Sequence, residues 1–155
     1  MSSEPLDLLA LTASIRDWAA ELGFQQLGIT DIDLSEDEQR LDAYLAAGYH
    51  GEMAYMASHG TMRSRPNELV PGTQRVISVR MDYLPEDTQM AQVLAQPEQA
   101  YISRYALGRD YHKLIRKRLQ QLADKITQAI GPFGHRAFVD SAPVLEKQRD
   151  RKSVV

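Results

Sequence analysis

No cysteine occurs anywhere in the 155 residues. Disulfides, thiolate zinc sites and thiol catalysis are therefore excluded within them, as is any cysteine-ligated iron–sulfur cluster. No apolar run approaches the roughly 18 residues that would suggest a membrane span. The opening Met1-Ser2-Ser3-Glu4-Pro5 has neither the basic start nor the apolar stretch of a secretory signal, so a cytoplasmic location is expected. Internal repeats and low-complexity segments are missing, and so are a glycine-rich phosphate loop, a zinc-type motif and a Gly-x-Ser-x-Gly elbow. The four histidines, His50, His59, His112 and His135, are scattered without metal-ligand spacing, so no metal site is expected. An excess of positive charge is lacking too. The net charge is −3, which on its own argues against a nucleic-acid binder.

What is present suits one soluble domain. The length allows a proper core, and the shares of apolar residues (43%) and charged residues (25%) are ordinary. The charge is distributed unevenly. Asp31, Asp33, Glu36, Asp37, Glu38 and Asp42 face a single Arg40, whereas Arg104, Arg109, Lys113, Arg116, Lys117 and Arg118 face a single Asp110. Such polarity can hold an anionic partner on one face of an acidic protein, or it can be two solvated helix faces of opposite sign.

Hydrophobic spacing predicts a helix over 6–22 with Leu8, Leu11, Ile15, Trp18 and Leu22 on one stripe, ended by Gly23. Gln26 to Thr30 reads as a strand. Ser35 to Glu38 fits a capping box, with Ser35 as N-cap and Glu38 reaching back. The helix it opens, about 36–47, is expected to bury Leu41, Tyr44 and Leu45. Its first-turn acids suit the helix dipole, which explains the acidic cluster without a function. One or two helical turns are expected between Gly51 and Gly60, with Met53 and Met56 filling the core. Pro66, Pro71 and Gly72 predict an irregular loop over 61–73 that carries Arg63 and Arg65. The strongest strand signal is Arg75 to Met81, apolar enough to be covered on both sides. Residues 84–99 read as a polar excursion.

Asp110 is the expected cap of a long helix reaching Ile130, with Tyr111, Ile115, Leu119, Leu122, Ile126 and Ile130 as its apolar stripe. Lys113, Arg116 and Lys117 crowd its N-terminal half, where cations oppose the dipole at about 0.3–1 kcal/mol each. That cost favours a ligand role. Arg136 to Val139 reads as a last strand delivering Asp140 to the carboxyl edge of a sheet, the edge where α/β folds bind ligands. The alternation of elements indicates an α/β fold, with α+β the alternative, in which helices pack on one sheet.

Several ordered segments together carry a family resemblance. They are Glu21-Leu22-Gly23-Phe24, Gly51-Glu52-Met53, Arg63-Ser64-Arg65-Pro66 with Leu69-Val70-Pro71-Gly72, and Val76-Ile77-Ser78-Val79. Ser103 to Lys113 and Phe138-Val139-Asp140-Ser141-Ala142-Pro143-Val144-Leu145-Glu146 complete the series. The pattern, over about residues 5 to 146, resembles the start of epoxyqueuosine reductases.

The resemblance implies reductive removal of the epoxide oxygen of epoxyqueuosine in the anticodon loop of tRNA. It implies base-off cobalamin in an N-terminal α/β domain and two [4Fe–4S] clusters in a following ferredoxin-like domain. An external electron donor and a monomeric state are implied as well. Asp140 matches the family's catalytic acid, which protonates the departing oxygen; a raised pKa and partial burial against the corrin are expected of it. Arg63 matches a loop arginine that contacts the cobalamin. Ser103 stands where some members place a corrin-contacting residue of another type. Arg104, Arg109, Lys113, Arg116 and Lys117 suit phosphate contacts with tRNA. Tyr105 and Tyr111 would stack on a flipped nucleotide or belong to the core.

After Glu146 the family continues with a basic-Pro pair and an Ala/Gly-rich run. Here Lys147 to Val155 reads as an unpatterned polar tail. The expectation is a truncated enzyme: 1–146 the cobalamin- and tRNA-binding domain, 147–155 a tail, the cluster domain absent, the sheet left with an open edge and no turnover alone. A non-catalytic tRNA- or anion-binding module and an inactive gene fragment are the alternatives.

Overall fold

Helix α1 (Leu8–Glu21) starts where the Asp7 carboxylate accepts hydrogen bonds from the backbone N–H groups of Leu9 and Ala10, both at 3.0 Å. The computed structural model describes residues 6–84 and 89–153. The α1 helix ends in a Schellman turn: Gly23 takes φ +83°, and the Phe24 N–H donates to Ala19 O at 3.0 Å. That turn sends the chain into β1 (Gln26–Thr30) and drops the Phe24 ring into the core.

The predicted core face of α1 holds at Ile15, with Leu11, Trp18 and Leu22 packed against the same cluster. Leu8 lies off it, 66% exposed. Helix α5 (Tyr111–Ile130) supplies the opposite wall through Leu122, Ala123 and Ile126, with Ile115 and Leu119 partly buried beside them. Full burial of a side chain of this size contributes about 1.5–3 kcal/mol, so the buried residues of the α1–α5 seam are a substantial source of stability. Strand β2 (Val76–Arg80) pairs antiparallel with β1, Gln26 opposite Arg80 and Thr30 opposite Val76. Leu27, Ile29, Ile77, Val79 and Met81 lie on the same core. The fold is mixed α/β, one small sheet with helices packed on it.

Helix α2 (Ser35–Ala46) forms as expected, but the capping box does not. The N-cap is Leu34 rather than Ser35, and its side chain cannot accept, so no side chain caps the helix; Glu38 instead accepts two hydrogen bonds from Arg65, at 2.7 and 3.0 Å, and another from the Ser64 hydroxyl. Leu41 and Leu45 are half-buried, whereas Tyr44 is exposed, its hydroxyl donating to Tyr49 O. The 61–73 loop is more regular than its prolines suggested. A 3₁₀ turn at Gly60–Arg63 leads into the short helix α3 (Pro66–Leu69), with proline at the first position, where its missing N–H costs nothing. Met53 is exposed rather than a core filler. The excursion after Leu84 contains helix α4 (Met90–Leu94); its residues 85–88 lie outside the described ones, as do residues 1–5, 154 and 155.

Two expectations about the C-terminal part are overturned. Residues 136–139 form no strand, and β1 and β2 are the only pair among the described residues. A run of extended residues specifies backbone shape but not a partner, and no sheet edge pairs with this one. The tail, in turn, is helical: α6 (Glu146–Ser153) packs against β1 and β2. Arg149, only 4% exposed, donates to Asp31 O at 2.7 Å and Ile32 O at 3.4 Å. Burial lowers the pKa of its guanidinium, and the nearby Asp31 and Asp37 charges oppose that fall. No helix among the described residues is long and apolar enough to cross a membrane.

Candidate active site

The start of α5 organises the site. Asp110 caps the helix: its Oδ1 accepts from the His112 backbone N–H at 3.0 Å and lies 2.9 Å from His112 Nδ1. These two bonds hold the Asp110 carboxyl below the usual carboxylate range. The cap fixes the direction of the first turn and so throws Tyr111 and His112 toward the same space. Their rings stack with centroids 4.1 Å apart, and Tyr105 meets Tyr111 edge-on at 6.2 Å.

Asp140 enters that space from the other side, carried by a turn rather than a strand. Its φ of +50° makes it the one non-glycine residue with positive φ among those described. Aspartate tolerates this left-handed conformation better than most side chains, but it still costs energy, and such strain clusters at functional positions. Asp140 Oδ2 accepts from the Tyr111 hydroxyl at 2.5 Å and lies 3.6 Å from His112 Nε2. Hydrogen bonding to that carboxylate, with some burial, pushes the Tyr111 phenol up to about 12. Among the described residues Asp140 Oδ1 has no hydrogen-bond partner, and the side chain is 50% exposed. Glu146, at the start of α6, lies close enough for burial and then the Asp140 charge to raise its carboxyl above the ordinary range.

Arg63 is tied to the same neighbourhood through its backbone: its carbonyl accepts from the Leu145 N–H at 3.2 Å. Its guanidinium Nη2 donates to Tyr55 O at 2.6 Å, while Nε is buried with no hydrogen-bond partner among the described residues. Arg104 also has a buried Nε without an acceptor among the described residues, and its guanidinium sits 5.4 Å over the Tyr101 ring. Ser103 precedes the 3₁₀ turn Arg104–Ala106 and is exposed, its carbonyl accepting from Ala106 N–H. Neither Ser103 nor the exposed Arg109 makes a hydrogen bond to Asp140.

On α5, Lys113, Arg116 and Lys117 are exposed and line a shallow concavity with Gln120, Gln121 and Asp124. Arg118 does not join them. It turns inward, donating to Met81 Sδ at 3.0 Å and covering Gly23. The acidic cluster is likewise internal business: Arg40 bridges Glu36 and Asp37, and Arg65 holds Glu38. Among the described residues no group of three or more His, Asp or Glu side chains could hold a metal ion. From the sequence Asp110 is a helix cap only, and His112 lies in the segment that the family resemblance turns toward the corrin and the tRNA, with no role assigned. The Asp-Tyr-His run at the helix start was the available signal, but its meaning depends on Asp140 being near, which spacing does not show.

The family model described as "Epoxyqueuosine reductase QueG, DUF1730" matches residues 63–141, half of the chain and the stretch holding Arg63, Asp110, Tyr111, His112 and Asp140. The chain belongs to the epoxyqueuosine reductase family. The epoxyqueuosine reductase of Pseudomonas aeruginosa is 72% identical over 143 residues, covering 92% of this chain and 40% of that protein. The Escherichia coli K12 epoxyqueuosine reductase is 57% identical over 151 residues, covering 97% of this chain and 40% of that one. The solved structure of epoxyqueuosine reductase from Streptococcus thermophilus superposes with a TM-score of 0.70 at 20% identity, over 92% of this chain and 38% of that chain, and so supports the fold. The chain thus spans about 40% of the length of the curated relatives it matches.

Proposed function

We propose that this chain supplies the proton donor and part of the cofactor pocket of an epoxyqueuosine reductase, an oxidoreductase of queuosine biosynthesis acting on tRNA. The observation that carries the reading is Asp140. A carboxyl group is held at one oxygen by Tyr111, in a conformation that costs energy, with its other oxygen unengaged among the described residues. An epoxide oxygen departs as an alkoxide unless it is protonated, and a placed acid contributes about 10²–10⁴ in rate.

The residues present fit cobalamin. The Nε donors of Arg63 and Arg104 are buried and lack acceptors among the described residues, which amide or phosphate oxygens of the cofactor would supply. Ser103 and the half-exposed side of Asp140 complete that proposed contact set. Bound there, cobalamin supplies the two-electron reduction at carbon. Because the chain has no cysteine, [4Fe–4S] clusters feeding it would be ligated elsewhere. Arg104, Arg109, Lys113, Arg116 and Lys117 contact tRNA phosphates in this reading, with Tyr111 at the base, in a cytoplasmic monomer that takes electrons from an external donor.

The test joins residues 1–146 of this chain to the remaining part of the Pseudomonas relative and assays queuosine formation on tRNA carrying epoxyqueuosine. The chimera is expected to turn over, and Asp140→Asn to lose about a hundredfold or more. A folded, tRNA-binding chimera without turnover, or an Asp140→Asn form at full rate, refutes the reading. The exposed cations of α5 favour a second reading, a non-catalytic tRNA- or anion-binding module. Salt-dependent tRNA binding by a chain whose chimera is inactive would select it.

A further inference from the structure

His112 stands between two carboxylates. Its Nδ1 is 2.9 Å from Asp110 Oδ1 and its Nε2 is 3.6 Å from Asp140 Oδ2. An ionised carboxylate offers lone pairs only, so the hydrogen of the neutral ring belongs on Nδ1, facing Asp110. Nε2 is then left with a free lone pair, 3.6 Å from Asp140 Oδ2. The His112 side chain is 44% exposed, which gives it access to water. Tyr111 completes the arrangement: its hydroxyl donates to the same Oδ2, while Oδ1 has no hydrogen-bond partner among the described residues. The spacing from His112 to Asp140 is that of an ion pair, and a small side-chain rotation or one bridging water turns it into a proton path.

We propose that His112 is the proton relay of the site: it recharges Asp140 from solvent, with Asp110 fixing its tautomer and Tyr111 holding the Asp140 oxygen within its reach. The inference rests on Asp140 being the acid, as set out above. Removing an epoxide oxygen consumes two electrons and two protons, leaving a carbon–carbon double bond and one water. The two electrons would be supplied by cobalamin bound in the pocket proposed above. Asp140 gives the first proton to the oxygen as a carbon–oxygen bond breaks, and it is then a carboxylate. The proton on Nε2 of imidazolium passes to Asp140; neutral His112 takes another from water, and the second proton follows the same route. Without His112 the carboxylate must wait for water to protonate it directly. Tyr111 and His112 are positioning and relay residues that act through Asp140. The groups facing the imidazole are Asp110, Asp140 and the Tyr111 ring, with Tyr105 behind Tyr111, Lys113 beside Asp110 and Glu146 beyond Asp140.

Two experiments test this. The first needs no turnover: ¹⁵N spectra of the histidine rings in the 155-residue chain report the tautomer. The Nδ1–H form of neutral His112 is expected to exceed the Nε2–H form by tenfold or more. Asp110→Asn, which keeps the helix cap but replaces the charged acceptor by a neutral one, should weaken that preference; a dominant Nε2–H form in the unsubstituted chain overturns the relay. The second uses the chimera. His112→Gln should lower kcat by roughly ten- to a hundredfold with KM for tRNA unchanged. His112→Ala should recover activity on addition of imidazole, which also shows that the variant is folded. Full kcat in His112→Gln, or a rise confined to KM, overturns the relay. Asp140→Asn separates the two ideas. If it stays active the acid assignment fails and takes the relay with it. If it is dead while His112→Gln keeps its kcat, the relay alone fails.

Discussion

Helix α5 divides neighbouring cations by the direction they face, and salt titration can read that division. Lys113, Arg116 and Lys117 point outward over the concavity, while Arg118 is folded over Gly23 with its guanidinium on Met81 Sδ. Each phosphate that a cation neutralises adds about 0.7–0.9 to the slope of log affinity against log salt. A fourfold rise in salt therefore weakens binding by roughly threefold per contact, so three contacts cost roughly thirtyfold. Changing Arg116 and Lys117 together to glutamine should lower the slope by about 1.4–1.8 and shrink the loss over the same salt step by roughly tenfold. Arg118→Met should leave the slope unchanged and lower thermal stability instead. The assay is fluorescence anisotropy of labelled tRNA with the 155-residue chain at about 50 and 200 mM salt, with melting curves alongside. If Arg118→Met reduces the slope as much as a single outward substitution, or the double glutamine variant does not change it, the assignment of these faces is wrong.

Three further outcomes follow from described geometry. A Cβ on residue 23 would sit 2.7 Å from Arg118 Nη1 at a φ of +83°, so Gly23→Ala should destabilise by about 1–2 kcal/mol in urea melts. Adding Arg118→Ala should remove the steric share while keeping the backbone share, and a strictly additive pair would contradict that contact. Because Asp140 is left-handed, Asp140→Ala should cost about 1 kcal/mol more stability than Asp140→Asn, measured by the same melts; equal costs would argue against the turn. The Tyr111 phenol is raised to about 12 against an unfolded value near 10. Its bond to Asp140 therefore stabilises fully below about pH 10 and is lost as pH rises toward 12. In a titration at 295 nm, Tyr111→Phe should remove the last-ionising tyrosine and nothing earlier.

The elements that could be read from the chain are those whose signals are local. The spacing in α1 and α5, the Asp110 cap, the Gly23 stop and the apolar run of β2 each depend on residues a few positions apart. The failures share the opposite property. Glu38 engages Arg65, a charged bidentate partner 27 positions away, rather than the predicted capping box. The 136–139 segment has the pattern of a strand, but pairing needs an edge from elsewhere in the fold. The tail after Glu146 looked shapeless because its anchor is not an apolar stripe but one arginine reaching two carbonyls at the end of β1. Asp140 itself was legible through family resemblance, whereas its ties to Tyr111 and His112 span about thirty residues of chain and exist only in space. Tyr111 illustrates the limit well: read as a base-stacking or core residue, it holds the Asp140 carboxylate.

The single backbone bond from Leu145 N–H to Arg63 O acts as a ruler. Residues 140 and 145 are five steps apart, so at about 3.3–3.6 Å per step Asp140 can never sit more than roughly 17 Å from that staple. Arg63 is on the other end of the same staple, and Arg65 next to it is clasped to α2 through Glu38. Lengthening the stretch Ser141–Val144 by one residue would move the acid without moving the arginine, whereas loosening Glu38 would carry the arginine away from the acid. Loop lengths on the two sides are therefore a matched pair: a graft that transplants the 61–70 loop into another scaffold must bring 140–145 with it.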